Sequence, residues 1–176
     1  VTGVRVRGGG GFDHPVAPRI SDRPITVRFV EMTRTDTMIP MRDGTRLHTV
    51  IIAPAAAGAT LPIILERTPY GVAHWDAMRV NVALRSLLAD GSGGYIFVFQ
   101  DIRGRFGSKG DFEMMRPPRE TQVVGDATPA VDESTDAWDT IDWLVRHVPG
   151  SNGRVGIRGV SYNGWLATMA LRNPHP

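Results

Sequence analysis

The sequence predicts an α/β domain whose sheet is mostly parallel, preceded by an N-terminal antiparallel hairpin and closed by a strand, a tight turn and a helix. Three observations carry this. Asp43-Gly44 separates two β-prone runs, 37–41 and 45–53, and Asp-Gly in that setting is a strong hairpin signal. Downstream, nearly continuous apolar runs alternate with segments of helical period, the pattern of strands buried on both faces and connected through helices. Last, Gly159-Val160-Ser161-Tyr162-Asn163-Gly164 lies directly between a strand-like run and a helical one.

Taken in order, residues 1–24 are glycine-rich, with glycine at every position from 8 to 11, and read as a flexible leader; their slight basic excess leaves a phosphate-binding arm as the alternative. The remainder, 25–176, reads as one unit. Residues 26–32 alternate as a strand does, the hairpin follows, and 54–60 is a loop of small residues. Residues 61–67 form a short apolar strand running into Thr68-Pro69-Tyr70-Gly71. The spacing of Trp75, Met78, Val82, Leu84, Leu87 and Leu88 predicts a helix over 73–89, stopped by Asp90-Gly91. Residues 95–102 are nearly all apolar and predict a buried strand. The polar, proline-containing stretch 103–131 is long for a bare connection, which marks it as functional or mobile.

The best helix signal follows. Asp132, Glu133 and Asp136 occupy its first turns, Trp138, Ile141, Leu144, Val145 and Val148 recur on one face, and Arg146 and His147 precede the terminator Pro149-Gly150. Charges at both ends complement the helix dipole. With no histidine sharing their spacing, Asp132, Glu133, Asp136, Asp139 and Asp142 read as helix-start charges and a solvated face rather than a metal site. Residues 153–160 form the final strand and 165–172 the final helix. In a parallel sheet ligands bind at the carboxyl ends of the strands. Tyr70, the pair Asp101 and Arg103, and Ser161 each follow a strand, so all land on one rim. Asp101 and Arg103 read as a structural ion pair or backbone clamp beneath it.

Composition narrows the function. With 176 residues, 41% hydrophobic and 22% charged, the chain is ordinary for one soluble domain. Its net charge of +2, spread along the chain, argues against nucleic acid. Without cysteine there is no disulfide framework, thiolate nucleophile or cysteine zinc site. No run approaches the roughly 20 apolar residues of a membrane span, and the N-terminus lacks a secretion-signal core, so a cytoplasmic protein without membrane partners is expected. Gly104-Arg105-Phe106-Gly107-Ser108-Lys109-Gly110 resembles a phosphate loop only superficially, because no Gly-Lys-Ser/Thr opens a helix there.

The serine motif carries chemistry. A chain reversing sharply from strand to helix needs small neighbours, lifts the serine hydroxyl above the sheet edge, and sets it at a helix N-terminus that favours developing negative charge. A structural Gly-Ser turn is the alternative reading.

Together with Pro40-Met41-Arg42-Asp43-Gly44, Arg67-Thr68-Pro69-Tyr70, Gln100-Asp101-Ile102-Arg103-Gly104 and the run from Asp132 through Trp143-Leu144, this motif resembles the α/β-hydrolases of the cocaine esterase, X-Pro dipeptidyl-peptidase and α-amino-acid ester hydrolase group. The resemblance covers nearly everything after the leader and implies an α/β-hydrolase fold. It implies Ser161 as nucleophile, the backbone N–H of Tyr162 as one oxyanion donor and the Tyr70 phenol as the other; from the residues alone Tyr70 reads as a packed loop aromatic. It further implies an ester or amide substrate, with α-amino-acid esters, β-lactam acyl groups and X-Pro peptides as candidates. No cofactor or metal is expected, and a homo-oligomer stays open. A serine nucleophile needs a histidine base and an acid to orient it, which in α/β-hydrolases follow the serine. After Tyr162 there is no acidic residue, and the only histidine is His175; His14, His48, His74 and His147 precede the serine. The expectation is an N-terminal portion of a longer hydrolase, truncated after the nucleophile helix and inactive alone, with strand 153–160 left as a bare edge. The alternative is a catalytically dead hydrolase-like module that binds or regulates.

Overall fold

The computed structural model describes residues 32–55, 60–74, 94–122 and 130–176. The leader, most of the first predicted strand and the body of the predicted helix 73–89 lie outside the described residues. Strands β1 (Met32–Pro40) and β2 (Arg46–Pro54) form the hairpin. They pair antiparallel in register from Met32 opposite Pro54 to Pro40 opposite Arg46. Their turn closes through Met41 N–H to the Thr45 carbonyl (2.7 Å), and Gly44 supplies the positive φ of +82° that it needs.

Strands β3 (Leu61–Thr68), β4 (Ile96–Asp101) and β5 (Ser151–Ile157) complete a five-stranded sheet in the order β1-β2-β4-β3-β5. β3 runs parallel to both β4 and β5, while β2 joins β4 antiparallel, so a parallel block is flanked by the hairpin. β5 begins and ends earlier than its sequence suggests, and its one sheet neighbour among the described residues is β3.

Helix α1 (Glu133–His147) covers one sheet face and α2 (Tyr162–Ala170) packs against α1 and β3. Leu144 of α1 packs with Ile39, Leu47, Ile51, Ile63, Leu65, Ile96 and Val98, all buried. The opposite face gathers Val50, Ile52, Val72, Phe97 and Phe99. Asp132 caps α1 by accepting from the N–H groups of Ser134 and Thr135 (both 2.9 Å), and the Thr135 hydroxyl accepts from the Asp132 N–H, closing a capping box.

The expected helix faces need correction. Asp132, Glu133 and Asp136 are not a solvated face; each is at most 2% exposed, with Thr140 and Leu144 also buried, whereas Trp138 and Val145 are half-buried. For Glu133 and Asp136 the reason is electrostatic, because two buried arginines, Arg67 and Arg103, draw them inward, while Asp132 is buried by its own capping bonds. No helix among the described residues is long and apolar enough to cross a membrane.

Candidate active site

Because β4, β3 and β5 are adjacent and parallel, their carboxyl ends form one rim, and the singled-out residues follow it. Asp101 ends β4, Tyr70 follows β3, and Ser161 stands between β5 and α2.

Ser161 occupies the N-cap of α2 with φ 58° and ψ −124°. A non-glycine residue in this region carries about 1–3 kcal/mol of strain, the kind that persists where surrounding structure enforces it. Here the enforcement is visible. The Ser161 carbonyl already accepts from Trp165 N–H (3.0 Å), and a Cβ placed on Gly159 would overlap the Asn163 carbonyl, so only glycine lets the chain double back. Ser161 is exposed and its side chain makes no capping bond. Asn163, buried at the start of the helix, donates to Glu66 on β3 (2.9 Å), and Glu66 also meets Arg158 at 3.4 Å. Sequence reading missed this tie between the turn and the sheet; a polar residue between two glycine-bounded positions was its only signal.

Tyr70 is 62% exposed on a turn fixed from two sides. Its N–H bonds the Thr68 hydroxyl (3.2 Å), Arg105 donates to the Pro69 carbonyl (3.1 Å), and the Phe106 ring lies against Gly71, whose φ is +92°. The Tyr162 phenol accepts from Met115 N–H (3.0 Å), and its ring packs edge-on to Trp165. The segment 103–116 therefore touches both the Tyr70 turn and the residue beside Ser161.

Asp101 and Arg103 are clamps, but not with each other. Asp101 accepts from Gly107 N–H (3.1 Å) and contacts His48 Nδ1 (3.1 Å), while its backbone carbonyl accepts from the Ser108 hydroxyl (2.6 Å). Arg103 forks between Asp136 (2.6 and 3.0 Å) and Asp43 (2.6 and 3.3 Å), tying α1 and the hairpin turn to the end of β4. The guanidinium pKa is raised: burial opposes the charge, but hydrogen bonds and attraction from the two carboxylates outweigh it.

A second buried network was not anticipated. Arg67 donates to Gln100 Oε1 (2.9 Å) and to the Glu133 carbonyl (2.9 Å), and Gln100 bonds Thr49 and Thr140 (3.1 and 3.0 Å). Burial pushes the Glu133 carboxyl up, against the pull of Arg67 at 3.1 Å. Arg67 and Gln100 each interrupt an apolar strand run, which was the available signal.

Three of the described histidines are committed elsewhere. His48 lies between Asp101 and Asp36, His147 stacks on Trp143, and His175 meets Asp142 (3.3 Å) and the Trp138 ring. Among the described residues no group of three His, Asp or Glu side chains could hold a metal ion.

The family model for X-Pro dipeptidyl-peptidase (S15 family) matches residues 43–176, from the hairpin turn through the serine turn and α2. The chain belongs to the S15 family. Its curated relatives include the cocaine esterase of Rhodococcus sp. (strain MB1 Bresler), 34% identical over 139 residues that cover 77% of this chain and 21% of the esterase. Among solved structures, an α-amino acid ester hydrolase is 44% identical with a TM-score of 0.70, covering 93% of this chain and 27% of that one. An aminopeptidase from a marine sediment Thaumarchaeota archaeon is 39% identical, also with a TM-score of 0.70, covering 89% and 26%. The chain thus spans about a fifth to a quarter of the length of these S15-type relatives. The fold is that of an α/β-hydrolase, and the family is one of esterases and peptidases.

Proposed function

We propose that the full-length protein is a serine hydrolase that cleaves esters or amides through an acyl-Ser161 intermediate. The observation that carries this reading is the positive-φ serine at the N-terminus of α2, exposed on the strand rim and enforced by Gly159. In the proposed reaction the Ser161 hydroxyl loses its proton to a histidine base and attacks the carbonyl carbon. The resulting oxyanion accepts hydrogen bonds from the Tyr162 backbone N–H and the Tyr70 phenol. Collapse expels the alcohol or amine, and water then releases the acid. Each oxyanion donor is worth about 3–4 kcal/mol at the transition state. Relatives named as a cocaine esterase, an α-amino acid ester hydrolase and an aminopeptidase support substrates of the ester and amide class.

The test is covalent labelling. A fluorophosphonate probe should modify the full-length protein on Ser161 and leave Ser161→Ala unmodified. Equal labelling of the variant would refute the assignment.

A further inference from the structure

The segment leaving β4 carries a concentration of exposed apolar side chains. Phe106 is 64% exposed, Phe112 36%, Met114 68% and Met115 58%. The segment is nonetheless tightly built. Gly104 N–H bonds the Lys109 carbonyl, Lys109 N–H bonds the Arg46 carbonyl, and a Cβ on Gly104 would run into the backbone of Phe112. Ser108 Oγ accepts from His48 N–H, and Gly107 packs against the His48 ring. Two of the apolar residues, Phe106 (φ 46°) and Met115 (φ 51°), stand in the left-handed region that non-glycine residues avoid. The Arg105 guanidinium lies against both the Phe106 and Phe112 rings at 5.1 and 4.9 Å, fixing them relative to each other.

This strap touches the catalytic rim at two points. Arg105 and Phe106 hold the turn bearing Tyr70, and Met115 N–H holds the Tyr162 phenol one residue from Ser161. An exposed apolar surface held rigidly beside a nucleophile is suited to desolvating the apolar part of a substrate. Resting on the serine hydrolase reading above, we infer that Phe106, Phe112, Met114 and Met115 form the wall that selects esters or amides bearing a bulky aromatic or branched apolar group. The Tyr162 side chain is a positioning residue that anchors the wall through Met115.

The experiment compares kcat/KM of the full-length protein on p-nitrophenyl phenylacetate with p-nitrophenyl acetate, and on benzyl acetate with ethyl acetate. The first ratio varies the acyl group and the second the alcohol. In Met114→Ser combined with Phe106→Ser, one of these bulky-to-small ratios should fall by about ten-fold, the effect of losing one or two buried methylene contacts. The ratio that falls identifies which side of the ester faces the strap. Met114→Leu should restore most of its share. Tyr162→Phe should raise KM for the bulky ester by about five-fold while kcat holds, as expected for loss of one anchoring hydrogen bond. Leu171→Ser, an exposed apolar site on the last turn after α2, is the surface control. If both ratios stay unchanged while Ser161 still takes up fluorophosphonate, the strap is covered by other parts of the protein and this inference fails alone. If Ser161 is not labelled in the wild type, the hydrolase reading fails and this one with it.

Discussion

Replacing Arg103 by methionine should destabilise the protein by about 4 kcal/mol. Arg103 is 5% exposed and donates its short bonds to Asp136 at 2.6 and 3.0 Å and to Asp43 at 2.6 Å. Asp136 is 1% exposed and cannot recover hydration when its partner goes; its other cation, Arg67, is 3.8 Å away. Removing one member of such a buried pair costs about 3–5 kcal/mol. The two bonds to Asp136, at about 1.5–2 kcal/mol each for charged groups, supply most of that. Asp43 sits nearer the surface and adds about 0.5–1 kcal/mol. Urea unfolding followed by tryptophan fluorescence reports on the fold, and two of the four tryptophans, Trp138 and Trp143, sit on the affected helix. With a slope of about 2 kcal/mol per molar, the midpoint should fall by about 2 M. Combining Arg103→Met with Asp136→Leu should recover a large part of the loss, since an apolar replacement of a buried pair is often neutral. A single variant within about 1 kcal/mol of wild type would refute the reasoning, as would a double variant no more stable than the single one.

Further outcomes follow from the site and its supports. Tyr70→Phe should lower kcat by about 10² to 10³ with little change in KM or thermal stability, checked by steady-state kinetics and a melt. Gly159→Ala should cost about 3 kcal/mol and suppress labelling of Ser161, because its Cβ meets the Asn163 carbonyl; calorimetry and probe uptake read both effects. Asp132 titrates below the usual carboxylate range: burial alone would raise it, but hydrogen bonds from the Ser134 hydroxyl and the N–H groups of Arg119, Thr135 and Ser134 prevail. A depressed folded pKa contributes stability present above the unfolded value of about 4 and lost as pH falls through the folded value. Asp132→Ala should therefore cost about 1–2 kcal/mol at pH 7 and show a smaller further loss between pH 5 and 2 than the wild type.

What the sequence made legible was set by period and by local turn chemistry. Asp43-Gly44 and the glycines around Ser161 declared themselves because their backbone geometry admits few other residues. The strand within 95–102 was readable because burial on both faces leaves a nearly unbroken apolar run, and 61–67 because its apolar residues lie between a small-residue loop and a Pro-Tyr-Gly turn. The acidic end of α1 was misread because propensity rules place Asp and Glu near a helix start for its dipole, and say nothing of cations arriving from β3 and the end of β4. Arg67 and Arg103 lie 66 and 33 residues from their α1 partners, so the pairing is a property of the tertiary fold. The stretch holding the strap reads from sequence as functional or mobile, but its rigid order does not show there, for a similar reason. Its glycines and charged residues read as a loop, whereas its order comes from bonds with Asp101, His48 and the Pro69 carbonyl at the sheet edge.

The buried row Thr49, Gln100 and Arg67 also settles which strand residue sits beside which. In the sheet Thr49 faces Gln100 across β2 and β4, and Arg67 faces Gln100 across β3 and β4; the next row inward on the same face is Ile51, Val98 and Leu65. Sliding β4 by two residues would keep its faces correct while setting Gln100 against aliphatic neighbours and stranding the Arg67 charge. An all-aliphatic sheet would tolerate that slip; this one cannot. The polar row thus acts as a vernier mark for three strands drawn from distant parts of the chain, and it fixes how far β3 and β4 project at the rim. The height at which Tyr70 and the strap leave the sheet is decided one layer below them, by a glutamine that touches neither.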